Sequence, residues 1–454
     1  MSNFPLGWHK ATLGAVSEKP QYGWTTKANH ETGKLKLLRT TDITSGMIDW
    51  STVPYCTDEP DDIEKYLIKS GDILISRAGS IGVSFLINKP ERAVFASYLI
   101  RFRIKNSYNK KYVYFYLKSP DYWKAIGASK VGIAVPNVNA TKLAQVPIPI
   151  ASDAVQKLIV SEIEKQFSRL DEAVAGLKRI KANLKRYKAS VLKAAVEGKL
   201  TEEWRENNKD VEHAEKLLKR ILAERKKKWE EKNPGKKYKE PVAPDTSNLP
   251  ELPKGWVWAT TDQLFSFVTS GSRGWASYYS NSGPLFLRMG NLDHDTINLD
   301  LSDIQRVQPP KGTEGTRTRV MSGDILISIT ADVGMVGLVP DGFEEAYINQ
   351  HVALARPESA LNNIFLAWFL ACKNGQDQLR GLQRGATKVG LGLEDIKAVN
   401  VPLPPLKEQA AIIQEVERLF SVDDEIEAVI ETNLKRSERL RQTILKKAFL
   451  GRLI

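Results

Sequence analysis

Cysteine is nearly absent from this chain: Cys56 and Cys372 are the only two in 454 residues, and no Cys-x-x-Cys pair occurs. That excludes a disulfide framework and a zinc ribbon, and it points to a reducing compartment. No apolar run approaches the ~18 residues needed to span a bilayer. The opening Met-Ser-Asn-Phe-Pro-Leu-Gly-Trp has neither a basic n-region nor an apolar h-region. The expectation is a cytoplasmic protein with no membrane partner. A Gly-x-x-x-x-Gly-Lys-Ser/Thr loop is missing too, which argues against a P-loop nucleotide motor. The five histidines, at 9, 30, 213, 294 and 351, show no metal-ligand spacing. In Asp293-His294-Asp295 adjacent side chains on a loop point apart, so the triplet reads as solvent-facing polarity. Pro60-Asp61 with Glu64-Lys65 lacks the spacing of a nuclease carboxylate cluster, and Asn233-Pro234-Gly235 is not the Asn-Pro-Pro-aromatic motif of an amino-methyltransferase. No catalytic residue, metal ligand or cofactor is expected in this chain.

What is present begins with size and charge. A chain of 454 residues is too long for one core and suggests three or so units at ~150 residues each. Lys and Arg total 66 against 54 Asp and Glu, a net charge of +12 that suits a polyanionic partner, nucleic acid or an anionic membrane.

The dominant feature is an internal repeat. Pro5-Leu6-Gly7-Trp8 returns as Pro253-Lys254-Gly255-Trp256. Leu38-Arg39, opening a run to Ile48-Asp49, returns as Leu287-Arg288, opening a run to Ile297-Asn298. Ser70 to Ser76, Ser-Gly-Asp-Ile-Leu-Ile-Ser, recurs letter for letter as Ser322 to Ser328, each followed by a Gly-rich connection. Val146-Pro147-Ile148-Pro149 matches Val401-Pro402-Leu403-Pro404, Phe167-Ser168 matches Phe420-Ser421, and Gly198-Lys199-Leu200 matches Gly451-Arg452-Leu453. Each half reads as a β-rich domain followed by a long helix.

Strands are expected over Val94–Ile104 and Tyr347–Ala355, and short helices over Lys110–Leu117 and Ile364–Cys372. Prolines 147, 149, 402, 404 and 405 cannot continue a ladder or a helix and mark the exit from each domain. In the helix after the first exit, Ile163, Leu170, Leu177, Leu184 and Val191 recur every seventh residue. Phe167, Val174, Ile180, Tyr187 and Ala194 fill the second seam position, a coiled-coil pattern. The second helix (Val416, Leu419, Ile426, Ile430, Leu434, Leu440, Ile444) is less regular. Asp423, Asn433 and Ser437 lie along or near its seam, so its middle is expected to pack less tightly. Between the halves, Lys209–Glu240 carries twelve Lys/Arg and seven Asp/Glu, with Leu217, Leu218, Ile221 and Leu222 enough for one short amphipathic helix. Lys226-Lys227-Lys228 reads as a solvated helix face, though it could touch phosphate. Lys236–Leu252, with Pro241, Pro244 and Pro250, reads as a linker.

The ordered set resembles the specificity subunit of type I restriction-modification enzymes: Pro-x-Gly-Trp, Leu-Arg with a downstream Gly-x-Ile-Asp, Gly-Asp-Ile-Leu-Ile-Ser with its Gly-rich loop, then Pro-x-Pro leading into a long helix. The likeness covers essentially the whole chain, twice over. Leu406-Lys407-Glu408-Gln409 keeps the family's Leu-x-Glu-Gln helix start, whereas Ile150-Ala151-Ser152-Asp153-Ala154-Val155-Gln156 departs from it. The resemblance implies an α+β fold of two tandem β-rich target-recognition domains joined by two long antiparallel coiled-coil helices, a pseudo-two-fold repeat. The divisions are domain one at 1–150, helix one at 151–204, a charged short helix and linker at 205–250, domain two at 251–405 and helix two at 406–454. It implies double-stranded DNA as partner, each domain reading half of a bipartite asymmetric site, and no catalysis in this chain. S-adenosylmethionine, ATP and magnesium would be used by partners, two methyltransferase subunits and two motor/endonuclease subunits. At ~1.5 Å per residue, helices of ~45 residues would hold the domains ~65 Å apart as a ruler for the spacer. A self-contained restriction nuclease and a coiled-coil protein-binding scaffold are the alternatives.

Base readout is expected from polar and Arg side chains on loops at one domain edge, with phosphate contacts from Lys, Arg and backbone amides. In the first domain the candidates are Arg39, Thr41, Asp42, Arg77, Ser80, Tyr98, Ser129 and Lys130. Their counterparts in the second are Arg288, Asn291, Thr330, Asp332, Gln350, His351, Thr387 and Lys388. Arg77 stands out because the glycines after it permit close backbone approach. Asp42, Tyr98 and Asp332 could equally serve turns and hydrogen bonds inside the domain.

Overall fold

Short strands that cannot bury a face alone gather into two compact units: Met1–Ile180 with Val429–Ile454, which holds both chain ends, and the internal stretch Lys181–Ala428. The computed structural model describes residues 5, 7–128, 138–271, 273–309, 313–383 and 390–454. The first unit runs β1 (His9–Thr12), β2 (Gln21–Tyr22), β3 (Ala28–Asn29), β4 (Lys36–Leu38), β5 (Tyr55–Cys56), β6 (Asp72–Ser76), β7 (Ser84–Leu86), β8 (Ala93–Phe95), β9 (Leu99–Arg103) and β10 (Pro147–Ile150). These form sheets in the orders β2-β9-β6-β7 and β3-β5-β4-β8, and the pair β1-β10. The second unit repeats the scheme with β11 (Val257–Thr260), β12 (Phe265–Ser270), β13 (Tyr279–Leu287), β14 (Arg306–Val307), β15 (Ile325–Ser328), β16 (Val336–Leu338), β17 (Ala346–Ile348), β18 (Val352–Pro357) and β19 (Asn400–Leu403). Its sheet orders are β12-β18-β15-β16 and β14-β13-β17, with the pair β11-β19. Mixed sheets and helices in two tandem units match the expected α+β class.

The repeated Ser-Gly-Asp-Ile-Leu-Ile-Ser is the centre of each unit. β6 is buried along its whole length, as is β15. Its aspartate carries charge into that core. Asp72 accepts from Arg103 Nε at 2.9 Å and from the Lys69 amide at 2.9 Å. Asp324, fully buried, takes a two-pronged bond from Arg356 at 2.7 Å on each oxygen and accepts the Met321 amide at 2.7 Å. Bidentate geometry of this kind satisfies a buried carboxylate.

Two expectations need correction. Val94–Ile104 and Tyr347–Ala355 are not single strands. In each, the chain turns after three residues and crosses from one sheet into another: β8 pairs parallel with β4 while β9 pairs with β6. Likewise β17 pairs parallel with β13 and β18 with β15. A continuous run of β-branched and aromatic residues does not reveal a corner, because burial in either sheet demands the same residues. Three of the five prolines, too, lie inside strands: Thr12 faces Pro147 and Lys10 faces Pro149, and Trp258 faces Pro402, whereas Pro404 and Pro405 follow β19 and mark the exit into the helix at Leu406. Positions 147 and 149 share one parity of the ladder, so both ring nitrogens can face away from the single partner strand.

The helices form where expected, at Lys110–Tyr116 and Asn363–Ala371 and, at 44 residues each, Asp153–Val196 and Leu406–Phe449. Both long helices start on the same device. Gln156 donates to the Ala151 carbonyl at 2.8 Å and accepts the Asn109 amide at 3.0 Å. Gln409 donates to the Pro404 carbonyl at 2.9 Å and accepts the Asn362 amide at 3.0 Å. The apparent departure of the first half therefore leaves its glutamine in place. It changes the Leu and the Glu of the motif, with Asp153 and Val155 where the second half has Leu406 and Glu408.

Each unit holds part of both helices. In the second, Lys181 pairs with Glu427 at 3.3 Å and Lys188 with Asp424 at 2.6 Å, so the segments run antiparallel. In the first, Arg441 bonds Asp171 and lies over the Phe167 ring at 4.8 Å. Phe449 is 1% exposed and packs against Tyr112 and Tyr116. The second helix is more regular than its apolar residues suggest: Val416, Asp423, Ile430, Ser437 and Ile444, each seventh residue, are all buried. Two of those seam positions are polar, while Ile180, Tyr187, Ile426 and Leu440, expected on the seam, are about half exposed.

The helix ends explain two further repeated motifs. Gly198, at φ 72°, lies where a Cβ would meet Pro253 at 2.7 Å, and Gly451, at φ 66°, where one would meet Pro5 at 2.3 Å. Gly-x-Leu thus closes each helix against the Pro-x-Gly-Trp of the unit it ends in.

Candidate nucleic-acid interface

The corner between sheets builds one loop edge in each unit, by the same backbone bonds. In the first unit the Ala96 amide bonds the Leu38 carbonyl at 2.9 Å, which brings the corner beside Arg39. The Arg77 amide then bonds Tyr98 O at 2.9 Å, and the Val138 amide bonds Arg77 O at 3.1 Å. In the second unit Asn349 bonds Leu287 O at 3.1 Å, Ile329 bonds His351 O at 2.9 Å, and Leu391 bonds Ile329 O at 3.0 Å. The Leu-Arg turn, the Gly-rich loop, the corner and the segment near residue 140 or 392 therefore meet on one edge. Glycine is required behind each corner: a Cβ on Gly23 would sit 2.2 Å from Ala96 O, and one on Gly271 2.3 Å from Asn349 O. Both glycines were legible as a repeat at the spacing of the Pro-x-Gly-Trp pair, and sequence reasoning missed them.

The Gly-rich loops are shaped alike. Gly79 and Gly82 have φ of 70° and 86°; in the second loop Ala331 and Gly334 have 59° and 96°. A non-glycine residue held in the left-handed region stores strain, which tends to collect at functional loops. The loops are locked below by hydroxyls: Ser76 donates to the Ser80 carbonyl, and Ser328 to the Asp332 carbonyl at 2.6 Å.

The side chains divide into supports and exposed groups. Asp42 caps the Leu-Arg turn, accepting the Arg39 amide at 2.7 Å and clasping its guanidinium at 2.9 and 3.2 Å. Asn291, 2% exposed, plays the same part for the Arg288 amide at 2.8 Å and donates to the Asp300 carbonyl at 2.7 Å. Arg288 reaches Asp303 at 3.0 Å. Arg77 lies 4.9 Å over the Tyr22 ring, whose hydroxyl accepts the Ala140 amide at 2.9 Å. Thr41, Ser80 and Tyr98 face solvent, Tyr98 at 62% exposure. In the second unit Gln350 donates to His351 Nε2 at 2.9 Å, so His351 carries its proton on Nδ1 and donates it to Thr330 Oγ1 at 2.5 Å. Asp332 contacts His294 Nε2 at 2.8 Å, which puts His294 on the edge rather than on an idle loop. Ser129, Lys130, Thr387 and Lys388 lie outside the described residues.

This edge displays hydrogen-bond donors and acceptors. Among the described residues no group of three or more His, Cys, Asp or Glu is placed to hold a metal ion. Burial pushes both thiols, Cys56 and Cys372, up to about 11, so neither is a thiolate nucleophile at neutral pH. No described helix is long and apolar enough to cross a membrane.

One backbone scaffold built twice, furnished each time with different polar side chains, defines a two-headed recognition protein. The family follows from comparison. The family model for the type I restriction modification DNA specificity domain matches residues 5–186 and 314–436, and the chain belongs to that family. It is 26% identical over 433 residues to the type I restriction enzyme EcoBI specificity subunit of Escherichia coli, covering 94% of this chain and 82% of that protein. To the EcoKI specificity subunit of Escherichia coli strain K12 it is 25% identical over 478 residues, covering 99% and 90%. A chain from a solved structure of a type I R-M system superposes with a TM-score of 0.65 at 19% identity, covering 99% of both chains, a likeness of fold.

Proposed function

We propose that this chain is the DNA-recognition subunit of a type I restriction-modification complex and that each unit reads one half of a bipartite, asymmetric duplex site. The observation that carries the proposal is the duplicated loop edge: identical backbone bonds fix two reading surfaces, while Tyr98, Ser80 and Thr41 on one and His351, Gln350, Thr330, Asp332 and His294 on the other differ. Amide, hydroxyl and imidazole groups of this kind discriminate bases through their edges. The chain itself is non-catalytic. Adenine methylation with S-adenosylmethionine and ATP- and magnesium-dependent cleavage belong to two modification and two restriction subunits that dock on it.

The test is binding of the full chain, with its modification subunits, to a duplex carrying the methylated motif of its host. Affinity well above that for scrambled DNA, falling steeply with salt, is expected. Equal affinity for both duplexes would refute recognition, and metal-dependent cleavage by the chain alone would refute the non-catalytic assignment.

A further inference from the structure

The linker helix Ala214–Lys232 is amphipathic as expected: Ala214, Leu217, Leu218 and Ile221 are buried in the second unit, while Lys226, Lys227 and Lys228 are exposed. The chain that follows it does not swing free. Tyr238 packs on Trp229 with ring centroids 5.4 Å apart, and Lys226 bonds Glu240 at 3.0 Å. The Val242 amide bonds Asp262 at 3.0 Å and its carbonyl accepts from Thr260 at 2.5 Å. Helix and strap thereby form the two walls of a cleft of about 410 Å³.

Those walls bring like charges together. Lys228 and Lys232, one turn apart on the helix, face Lys237 and Lys239 from the strap across the cleft. Among the described residues none of the four is in an ion pair with a carboxylate, although the neighbouring Arg225 and Lys226 are. Like charges one helical turn apart already cost a few tenths of a kcal/mol, and a second wall of the same sign adds to that cost. At the floor, Tyr238 Oη is buried without a hydrogen-bond partner, and Glu358, 8% exposed, is held by the Arg225 ion pair at 3.8 Å. A surface helix serving solubility alone needs no second wall of the same sign.

We infer that this cleft is a sequence-independent docking site for the phosphate backbone of double-stranded DNA, separate from the reading edge. The inference rests on the reading that the chain binds DNA. Geometry within the second unit favours that ligand. β18 leads from the corner at His351 to Pro357, beside Glu358 at the cleft, six residues in all. At ~3.3 Å per residue this is about 20 Å, or roughly six phosphate steps at ~3.4 Å along one strand. A duplex continuing past its half-site along that strand direction meets the four ammonium groups without any base being read.

The experiment measures the salt dependence of binding of the full chain, with its modification subunits, to a duplex lacking the recognition motif. The wild type is compared with Lys228→Ala/Lys232→Ala/Lys237→Ala/Lys239→Ala and with a control, Lys216→Ala/Lys219→Ala, on the same helix but outside the cleft. Each phosphate contact contributes a slope of about −0.9 in log K against log salt, so a loss of about 3.6 in slope is expected for the four-lysine variant. The control is expected to change by less than one, and the methylated motif to stay the same in both. An unchanged slope in the cleft variant overturns the proposal. So does an equal loss in the control, or a loss confined to association with a modification subunit. Failure of the wild type to bind any duplex would instead refute the broader DNA-binding reading. Matching thermal unfolding of the variants keeps a folding defect from imitating the expected result.

Discussion

At the residue scale, buried charge separates structure from recognition. Asp324 sits in a motif repeated letter for letter, and repetition alone could suggest a role in the site. The structure gives it Arg356 and a backbone amide in the core instead. Removing one partner of such a pair strands the other, so Asp324→Ala is expected to cost about 3–5 kcal/mol in urea unfolding. A loss under about 1 kcal/mol would contradict that account. Asp423 is the opposite case. It occupies a seam position, 3% exposed, with Oδ2 buried and unpartnered, because Lys188 turns to Asp424. Burial raises its carboxyl above the usual range, opposed by Lys188 and reinforced by Asp424 and Glu427. With the folded value above the unfolded one, the destabilisation is absent below about pH 3.9 and sets in as pH rises through the folded value. Asp423→Leu should therefore stabilise the protein by about 1 kcal/mol at pH 7 and by less near pH 3. A destabilised variant at pH 7 would show that the carboxylate is compensated.

At the scale of elements, the sequence exposed the framework and hid the corners. Helix positions were readable because a seventh-residue spacing has no rival explanation, and Ser-Gly-Asp-Ile-Leu-Ile-Ser announced a turn into a buried strand. The break between β8 and β9 was not readable, since Val94-Phe95 and Leu99-Ile100 are apolar for two different sheets. For Asp42 the residue type left a base contact and a turn cap equally open, and the structure makes it the cap; Asn291, expected only at the base, caps its turn in the same way. His294 was discounted because loop neighbours point apart; its contact with Asp332 comes from a residue 38 positions away. The close approach behind the corner yields a direct check. Gly271→Ala is expected to cost about 1–3 kcal/mol, because the new methyl meets a backbone carbonyl that cannot swing aside. Gly290→Ala, with open space at its Cβ, should change stability by less than about 0.5 kcal/mol. Equal effects at the two positions in thermal unfolding would remove the argument.

At the scale of the whole molecule, duplication is what turns weak motifs into a function. None of Pro-x-Gly-Trp, Leu-Arg or Pro-x-Pro means much alone, yet each unit needs all of them. The glycine closing a long helix packs on the proline opening the unit where that helix ends, and the glutamine starting each helix ties strand exit to core. Because the two edges share a backbone but not their side chains, recognition should be divisible. Methylation mapping of the host genome by single-molecule sequencing tests this most directly, with the wild-type chain replaced in turn by Ser80→Ala/Tyr98→Ala and by Gln350→Ala/His351→Ala. The account predicts a gapped, asymmetric wild-type motif, one half of which relaxes in the first variant while only the other half relaxes in the second. Relaxation of the same half by both variants, or of both halves by either, would contradict it.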